Sequence, residues 1–234
     1  MLFIKRNKEV YIVKINLIIP AKGTSTRIKN KNLYEINGKS LVFYACDKAL
    51  KCKNINNVYL DTESEDIIAG VKDLLQKGLK LIKRDPCLAT NDIGANEMMI
   101  YGLHSVEECD VLLQTFCTSP LLTSETIDRC IETFINTGLP KYDSFFTTID
   151  VQEYFWKNNK PHNFSTKELP NSFDLEVLKM ETHGLYGITP ESLLANKTRV
   201  GKNPMLITIP KIESLDVNVK EDLDLIERLM NASK

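Results

Sequence analysis

The sequence predicts an α/β fold in which helices cover both faces of a mostly parallel β-sheet. Short apolar runs typical of buried strands alternate with segments of helical periodicity along most of the chain. The length of 234 residues suits one large domain. Hydrophobic residues make up 43% and charged residues 26%, which supplies a core and argues against disorder.

Seven apolar runs carry the strand prediction, and the first of them reads INLIIP. Such short runs between turn signals are typical of strands buried on both faces. The predicted strands span 15–20, 57–60, 79–83, 110–116, 143–149, 182–188 and 205–209.

Helical periodicity fills the intervals between these strands. Thr62 and Glu65 fit a capping box for a helix whose apolar stripe runs from 67 to 75. Gly138 fits the position just past a helix end. The other predicted helices span 40–51, 92–104 and 124–137, open at 189–190, and follow an apolar stripe over 219–229.

The alternation breaks near Val151, where 154–161 predicts a hairpin and 163–178 a loop-rich stretch. We therefore expect one domain, 1–234, with an insertion at about 150–180. The aromatic cluster 154–156 suits either a buried interface or packing within the chain.

Charge and composition narrow the function classes. The net charge of −1 gives no bulk electrostatic case for nucleic acid or an anionic membrane, and no apolar run approaches a membrane span. The six cysteines form no C-x-x-C pair, so we expect core thiols in a reducing compartment instead of disulfides or zinc ligands. The start of the chain lacks the apolar region of a secretory signal, and we expect a cytoplasmic protein.

The loop after the first strand concentrates positive charge around Gly23, with Lys22, Arg27 and Lys31 among its cations. Loops at the carboxyl ends of parallel strands form the ligand crevice of open α/β sheets, where such side chains bind phosphate oxygens. The spacing matches neither a Walker loop nor a dinucleotide fingerprint. A solvated basic loop is the alternative.

Segment 19–33, IPAKGTSTRIKNKNL, resembles the signature of the acylneuraminate cytidylyltransferase family, which activates sialic and related nonulosonic acids as CMP-sugars. Further similar motifs follow in order: NGKSL at 37–41, YLDTES at 59–64, RDPCLA at 84–89, TSPL at 118–121 and SLDVNVKEDL at 214–223. The resemblance spans about 15 to 225. It implies a nucleotidyltransferase-like, Rossmann-like domain.

The resemblance implies that the first loop binds CTP. Lys22 stands where relatives carry Arg, and Thr26 where many carry a phosphate-binding Lys, a charge that Arg27 would replace. Lys31 and Asn32 match directly, and Arg27, Lys31 and Asp216 are the expected catalytic residues. The expected nucleotide-binding residues are Pro20, Ala21, Lys22, Gly23, Thr24, Ser25, Thr26, Arg27, Lys31, Asn32 and Arg84.

The resemblance also implies Mg²⁺ held by Asp216 and Asn218, although relatives carry a second Asp where Asn218 stands. The amide offers oxygen without negative charge. Asn218 and Glu221 also fit a capping box for the last helix. Both roles are open.

Gln114 and His183 are the expected substrate-binding residues. Without an insertion near 115–117, Phe116 takes the place of Gln114. The segments 169–176 and 181–184 contain none of the arginines that relatives use for the acceptor carboxylate, so either the acceptor lacks a carboxylate or another cation, Lys157, Lys160, Lys167 or Lys179, meets it. The insertion resembles the family's dimerisation excursion, which implies a homodimer.

The function that follows is CMP transfer from CTP to a hydroxyl of a nonulosonic or sialic-like acid, with pyrophosphate release. Three alternatives stay open: a different, non-sialic acceptor, a homologue that binds nucleotide without turnover, and a glycosyltransferase with a D-x-D site. The charged loop directly after the first strand argues against the glycosyltransferase.

Overall fold

A seven-stranded sheet organises the chain in a computed structural model that describes residues 2–6, 9–90 and 92–232. The strands are β1 (Phe3–Arg6), β2 (Glu9–Ile12), β3 (Ile15–Pro20), β4 (Glu35–Ile36), β5 (Lys39–Ser40), β6 (Asn57–Thr62), β7 (Lys80–Lys83), β8 (Val111–Thr115), β9 (Ser144–Val151), β10 (Trp156–Lys157), β11 (Lys160–Pro161), β12 (Leu178–Ile188) and β13 (Pro204–Thr208). The helices are α1 (Leu41–Lys51), α2 (Glu65–Gly70), α3 (Lys72–Leu75), α4 (Ala95–Ser105), α5 (Ser124–Thr133), α6 (Pro190–Asn196) and α7 (Lys220–Ala232).

The sheet order is β13-β9-β12-β8-β3-β6-β7. Strand β12 runs antiparallel to both of its neighbours, and the other four pairings are parallel. This arrangement confirms the predicted mostly parallel α/β sheet. Because β12 runs antiparallel to β8, Leu185 and Tyr186 pair with Thr115 and Gln114 at the carboxyl end of β8, and the preceding residues 181–184 lie at the mouth of the sheet.

Alternate side chains of the strands enter two separate cores, one on each face of the sheet. On β3, Leu17 and Ile19 pack into the larger core, and Ile18 packs into the smaller one. Met99 of α4 and Leu193 of α6 belong to the smaller core. Residues of α1, α2, α3, α5 and α7 belong to the larger core.

Three local predictions are wrong. The cap of α2 is Ser64, whose Oγ accepts a hydrogen bond from the Ile67 amide, while Thr62 Oγ1 accepts from the Ser64 amide. The predicted single helix over 67–75 breaks at Val71 into α2 and α3. The predicted helix 124–137 is α5 followed by a π-helical turn, Phe134–Gly138, so Gly138 lies inside the last turn.

Between β9 and β12, residues 152–177 leave the sheet and include the short hairpin β10–β11, whose turn residues Asn158 and Asn159 both adopt positive φ. Asn tolerates this conformation well. The rings of Tyr154 and Trp156 pack edge-on against Phe164, so the aromatic cluster packs within this segment, and Trp156 stays exposed.

All six cysteines are free thiols, and five of them are buried, which agrees with their prediction as core residues; Cys87 is exposed. None of the helices among the described residues has the length and apolar character needed to cross a membrane.

Candidate nucleotide-transfer site

The carboxyl ends of β3 and β8, the start of the link to α7 and the bulge of β12 surround a cavity of about 430 Å³. The parallel strands end together here, as expected for the crevice of an α/β sheet. Its lining residues are Pro20, Lys22, Arg27, Lys31, Asn32, Ala95, Phe116, Cys117, Thr118, His183, Arg199, Asp216 and Asn218. Four Lys or Arg side chains thus face one carboxylate.

The first loop is anchored by Glu63, which follows β6, and by Asn32 within the loop itself. Glu63 Oε1 accepts a 2.6 Å hydrogen bond from the Gly23 amide, and Asn32 Nδ2 donates to the Lys22 carbonyl at 2.9 Å. A Cβ on Gly23 would lie 2.8 Å from Ser64 Cβ, so the close approach requires glycine. The Gly23 amide is therefore already engaged by Glu63.

The acidic motif forms a short network with the loop. Arg27 Nη1 donates to Asn218 Oδ1 at 2.8 Å, and Asn218 Nδ2 donates to Asp216 Oδ2 at 2.7 Å. Asp216 Oδ1 is buried without a partner. The capping-box prediction for Asn218 and Glu221 is wrong, because Asp222 Oδ2 accepts from the amides of residues 218 and 219.

Lys31 lies beside this network and donates to the Val217 carbonyl at 3.1 Å. Burial lowers its pKa, and the nearby Arg27 lowers it further, whereas the Asp216 carboxylate opposes both effects. A bound anion would relieve the cost of holding this ammonium group away from water.

A second cavity of about 220 Å³ adjoins the first and is lined by Lys22, Arg84, Gln114, Phe116 and apolar side chains of the α4 region. Arg84 is buried and pairs with Asp61, with Nε–Oδ1 and Nη2–Oδ2 distances of 3.0 and 2.8 Å. The Arg84 guanidinium is therefore held in an ion pair away from bulk water. Gln114 Oε1 is buried without a partner. Gln114 and Phe116 both line this cavity, so no insertion is needed to bring the glutamine there.

His183 lines the larger cavity from the bulge of β12, where the register against β9 shifts. Its φ of 57° lies in the left-handed region, which a non-glycine residue adopts at a cost. Its Nε2 lies 4.0 Å from Glu181 Oε1, and its side chain is largely exposed.

The structure brings together most of the predicted site residues. Ala21 is buried at the end of β3, where its amide bonds to the Asp61 carbonyl. Thr24, Ser25 and Thr26 lie in the first loop but line neither cavity, and neither do Lys157, Lys160, Lys167 and Lys179. Arg199 is the residue that the sequence reasoning missed. It lies between α6 and β13, outside every recognised motif, and no local pattern marked it.

A cytidylyltransferase sequence profile matches residues 16–173. The chain is 28% identical to the post-translational flagellin modification protein B of Campylobacter coli, over 91% of this chain and 93% of that protein. It is 24% identical to a pseudaminic acid cytidylyltransferase of Campylobacter jejuni, over 91% and 94% of the two chains.

The fold is similar to the solved structure of CMP:2-keto-3-deoxy-manno-octonic acid synthetase complexed with CTP. The TM-score is 0.70 at 14% identity, with 94% of this chain and all of the other (100%) covered. This likeness supports the fold, and the profile match covers more than half of the sequence. The chain therefore belongs to the cytidylyltransferase family.

Proposed function

We propose that this CTP-dependent nucleotidyltransferase transfers CMP from CTP to a hydroxyl of a nonulosonic sugar acid and releases pyrophosphate. One observation carries the proposal: a cavity at the carboxyl ends of the strands in which Lys22, Arg27 and Lys31 converge beside Asp216. The printed names of relatives, among them a pseudaminic acid cytidylyltransferase, support the sugar-acid class.

In this proposal the cations of the first loop hold the triphosphate. Arg27 presents a planar fork suited to phosphate oxygens, and Lys22 and Lys31 act as point charges. Transfer to the α-phosphorus depends mainly on positioning the reactants in line and neutralising charge on the leaving pyrophosphate. Arg27 would exchange its bond to Asn218 for phosphate oxygens.

The smaller cavity suits the base. It adjoins the phosphate loop through Lys22, and its volume of about 220 Å³ accommodates a single small ring system. Gln114 Oε1 would accept a hydrogen bond from an exocyclic amino group such as that of cytosine, since this buried oxygen has no partner. Arg84, fixed by Asp61, forms another polar wall.

Mg²⁺ is part of the proposal, and the residues present fit it in part. Mg²⁺ is usually held by one or two carboxylates together with substrate phosphates. The buried, unpartnered Asp216 Oδ1 suits that role, whereas Asn218 Oδ1 is engaged by Arg27. No cluster of three acidic, His or Cys ligands occurs within the described part of the chain. Bound Mg²⁺ would neutralise phosphate charge.

We also propose a cytoplasmic homodimer. The free thiols suit a reducing compartment. The segment between β9 and β12 exposes the large apolar side chains of Trp156, Leu169 and Phe173, which a second copy of the chain would cover.

The deciding experiment measures pyrophosphate release from CTP, UTP, ATP and GTP, with and without Mg²⁺. The acceptors are pseudaminic acid, N-acetylneuraminic acid and 3-deoxy-manno-octulosonic acid. We expect CTP-selective, Mg²⁺-dependent release with at least one acid. Thermal shifts with the same nucleotides separate binding from turnover: saturating CTP, at 100 times Kd, should stabilise the fold by about 2.7 kcal/mol. A thermal shift with CTP but no pyrophosphate release under any condition would instead support a homologue that binds nucleotide without turnover.

A further inference from the structure

Arg199 lines the larger cavity together with residues of the first loop. It belongs to the connection between α6 and β13, which no recognised motif covers. The sequence segments 169–176 and 181–184 carry no arginine, and the fold supplies one from a different part of the chain.

The position of this guanidinium is built into the fold. Its backbone amide donates to Asn96 Oδ1 at 3.0 Å, which anchors the connection to α4. Its Cζ lies 3.8 Å from the centroid of the Tyr186 ring and 5.7 Å from that of Phe116. Stacking on an aromatic face fixes an arginine while leaving the N–H groups in the guanidinium plane available to a ligand.

A chain of hydrogen bonds holds the tyrosine in turn. Arg199 Nη2 donates to Tyr186 Oη at 2.9 Å, and Tyr186 Oη donates to Glu181 Oε1. Glu181 Oε1 also lies 3.7 Å from Arg199 Nη2, a distance too long for a direct hydrogen bond. Tyr186 Oη is the single hydrogen-bond partner of the guanidinium among the described residues, which leaves most of its five donors for a ligand.

The cations of the cavity belong to two separate hydrogen-bond networks. Arg27 is bonded to Asn218 beside Asp216, whereas Arg199 is bonded to Tyr186 of β12, the strand that also carries His183. In the proposed reaction Arg27 and Lys31 would bind the triphosphate, which leaves Arg199 for the acceptor. We propose that Arg199 determines acceptor specificity by binding the carboxylate of the sugar acid. This inference rests on the proposed function and deepens it by assigning the cation that the acceptor requires.

The test combines variants with an acceptor that lacks the carboxylate. Arg199→Ala, Arg199→Lys and Tyr186→Phe are compared with the wild type, using the acid that gives the fastest release and its analogue reduced to the primary alcohol. Loss of one charged hydrogen-bonded pair should raise the KM for the acid about 10- to 100-fold in Arg199→Ala. The KM for CTP should stay within about twofold.

The remaining variants separate charge from geometry. Arg199→Lys keeps the charge without the fork, so its KM for the acid should lie between those of the wild type and Arg199→Ala. Tyr186→Phe keeps the ring but removes the hydroxyl that orients Arg199. It should raise the KM for the acid by a larger factor than it lowers kcat. The alcohol should react equally poorly with wild type and Arg199→Ala. Arg129→Ala, which removes an exposed arginine on α5, is the matched control.

The results that would overturn the role of Arg199 differ from those that would overturn the proposed function. An active wild type whose KM for the acid is unchanged in Arg199→Ala overturns the inference alone, and so does a rise confined to the KM for CTP. A wild type that binds CTP but reacts with none of the three acids overturns the acceptor class and the role of Arg199 together. A CTP thermal shift in each variant equal to that of the wild type shows that the nucleotide site is folded.

Discussion

Arg27 Nη1 and Asn218 Oδ1 lie 2.8 Å apart although 191 positions separate the two residues. This bond ties the first loop to the acidic motif before α7, so the position of the Arg27 guanidinium depends on Asn218, which lies two residues after Asp216. Because the Asn218 amide also donates to Asp216, it satisfies both neighbours without adding charge.

We predict that the thermal stability of the Asn218→Asp variant depends more strongly on Mg²⁺ than that of the wild type. A carboxylate here would lie within 3 Å of Asp216 Oδ2 and would replace a hydrogen bond with like-charge repulsion. A divalent cation would relieve that repulsion. The variant should therefore melt lower than wild type in EDTA and gain a larger thermal shift with Mg²⁺, and its half-saturating Mg²⁺ concentration should fall several-fold. Asn218→Ser is the uncharged control, and an equal Mg²⁺ response in both variants would contradict the prediction.

The buried pair of Arg84 and Asp61 gives a second prediction. Removing one partner leaves an uncompensated buried charge, which typically costs about 3–5 kcal/mol. Arg84→Met and Asp61→Leu should each lower the free energy of unfolding by about that amount in urea titrations. The double variant should be destabilised by clearly less than the sum of the two single changes. Simple additivity would mean that the two side chains do not stabilise each other.

The sequence predicted the sheet well because each strand is a short apolar run and each helix has a clear stripe. The sequence prediction failed where neighbouring residues could each fill the same structural role. Ser64 and Thr62 both suit an N-cap, and the chain direction at the end of β6 decides between them. The capping prediction for Asn218 also failed. Its residue type suits a helix cap, but its side chain is hydrogen-bonded to Arg27 and Asp216 instead.

The cavity lining was predictable for the first loop and for His183, but not for Arg199. Residues of the first loop are contiguous in sequence, so their shared location follows from the end of one strand. His183 reaches the cavity through a bulge in the antiparallel strand β12, whereas Arg199 reaches it from the connection between α6 and β13, which Asn96 of α4 anchors. Strand order and bulges are properties of tertiary packing and have no local sequence signal.

The backbone of His183 supplies a third prediction. At φ 57° a β-branched side chain clashes with its own backbone, whereas Asn and Gly accept the conformation. His183→Asn and His183→Gly should unfold within about 0.5 kcal/mol of the wild type, and His183→Val should lose about 1–2 kcal/mol. Differential scanning fluorimetry and urea unfolding would rank them. Equal stability of the Val and Asn variants would show that the left-handed conformation is not maintained.

Lys48 gives the last prediction, because its ammonium group is buried near three thiols and donates to the Ser119 carbonyl. Burial lowers its pKa to about 8, although the neighbouring Cys117 opposes the shift. Between about pH 8 and pH 10.5 the unfolded chain therefore binds more protons at this residue than the folded chain. It follows that this residue makes the folded state more stable as the pH rises through that window.

The buried thiols act in the opposite direction, since burial raises the pKa of Cys52, Cys117 and Cys130 to about 12. The informative quantity is thus the difference in unfolding free energy between wild type and Lys48→Met, in which the thiol contributions largely cancel. Relative to Lys48→Met, wild type should gain up to about 3 kcal/mol as the pH rises from 7.5 to 10.5. Urea titrations across that range measure the gain, and a flat difference would mean that Lys48 reaches water when charged.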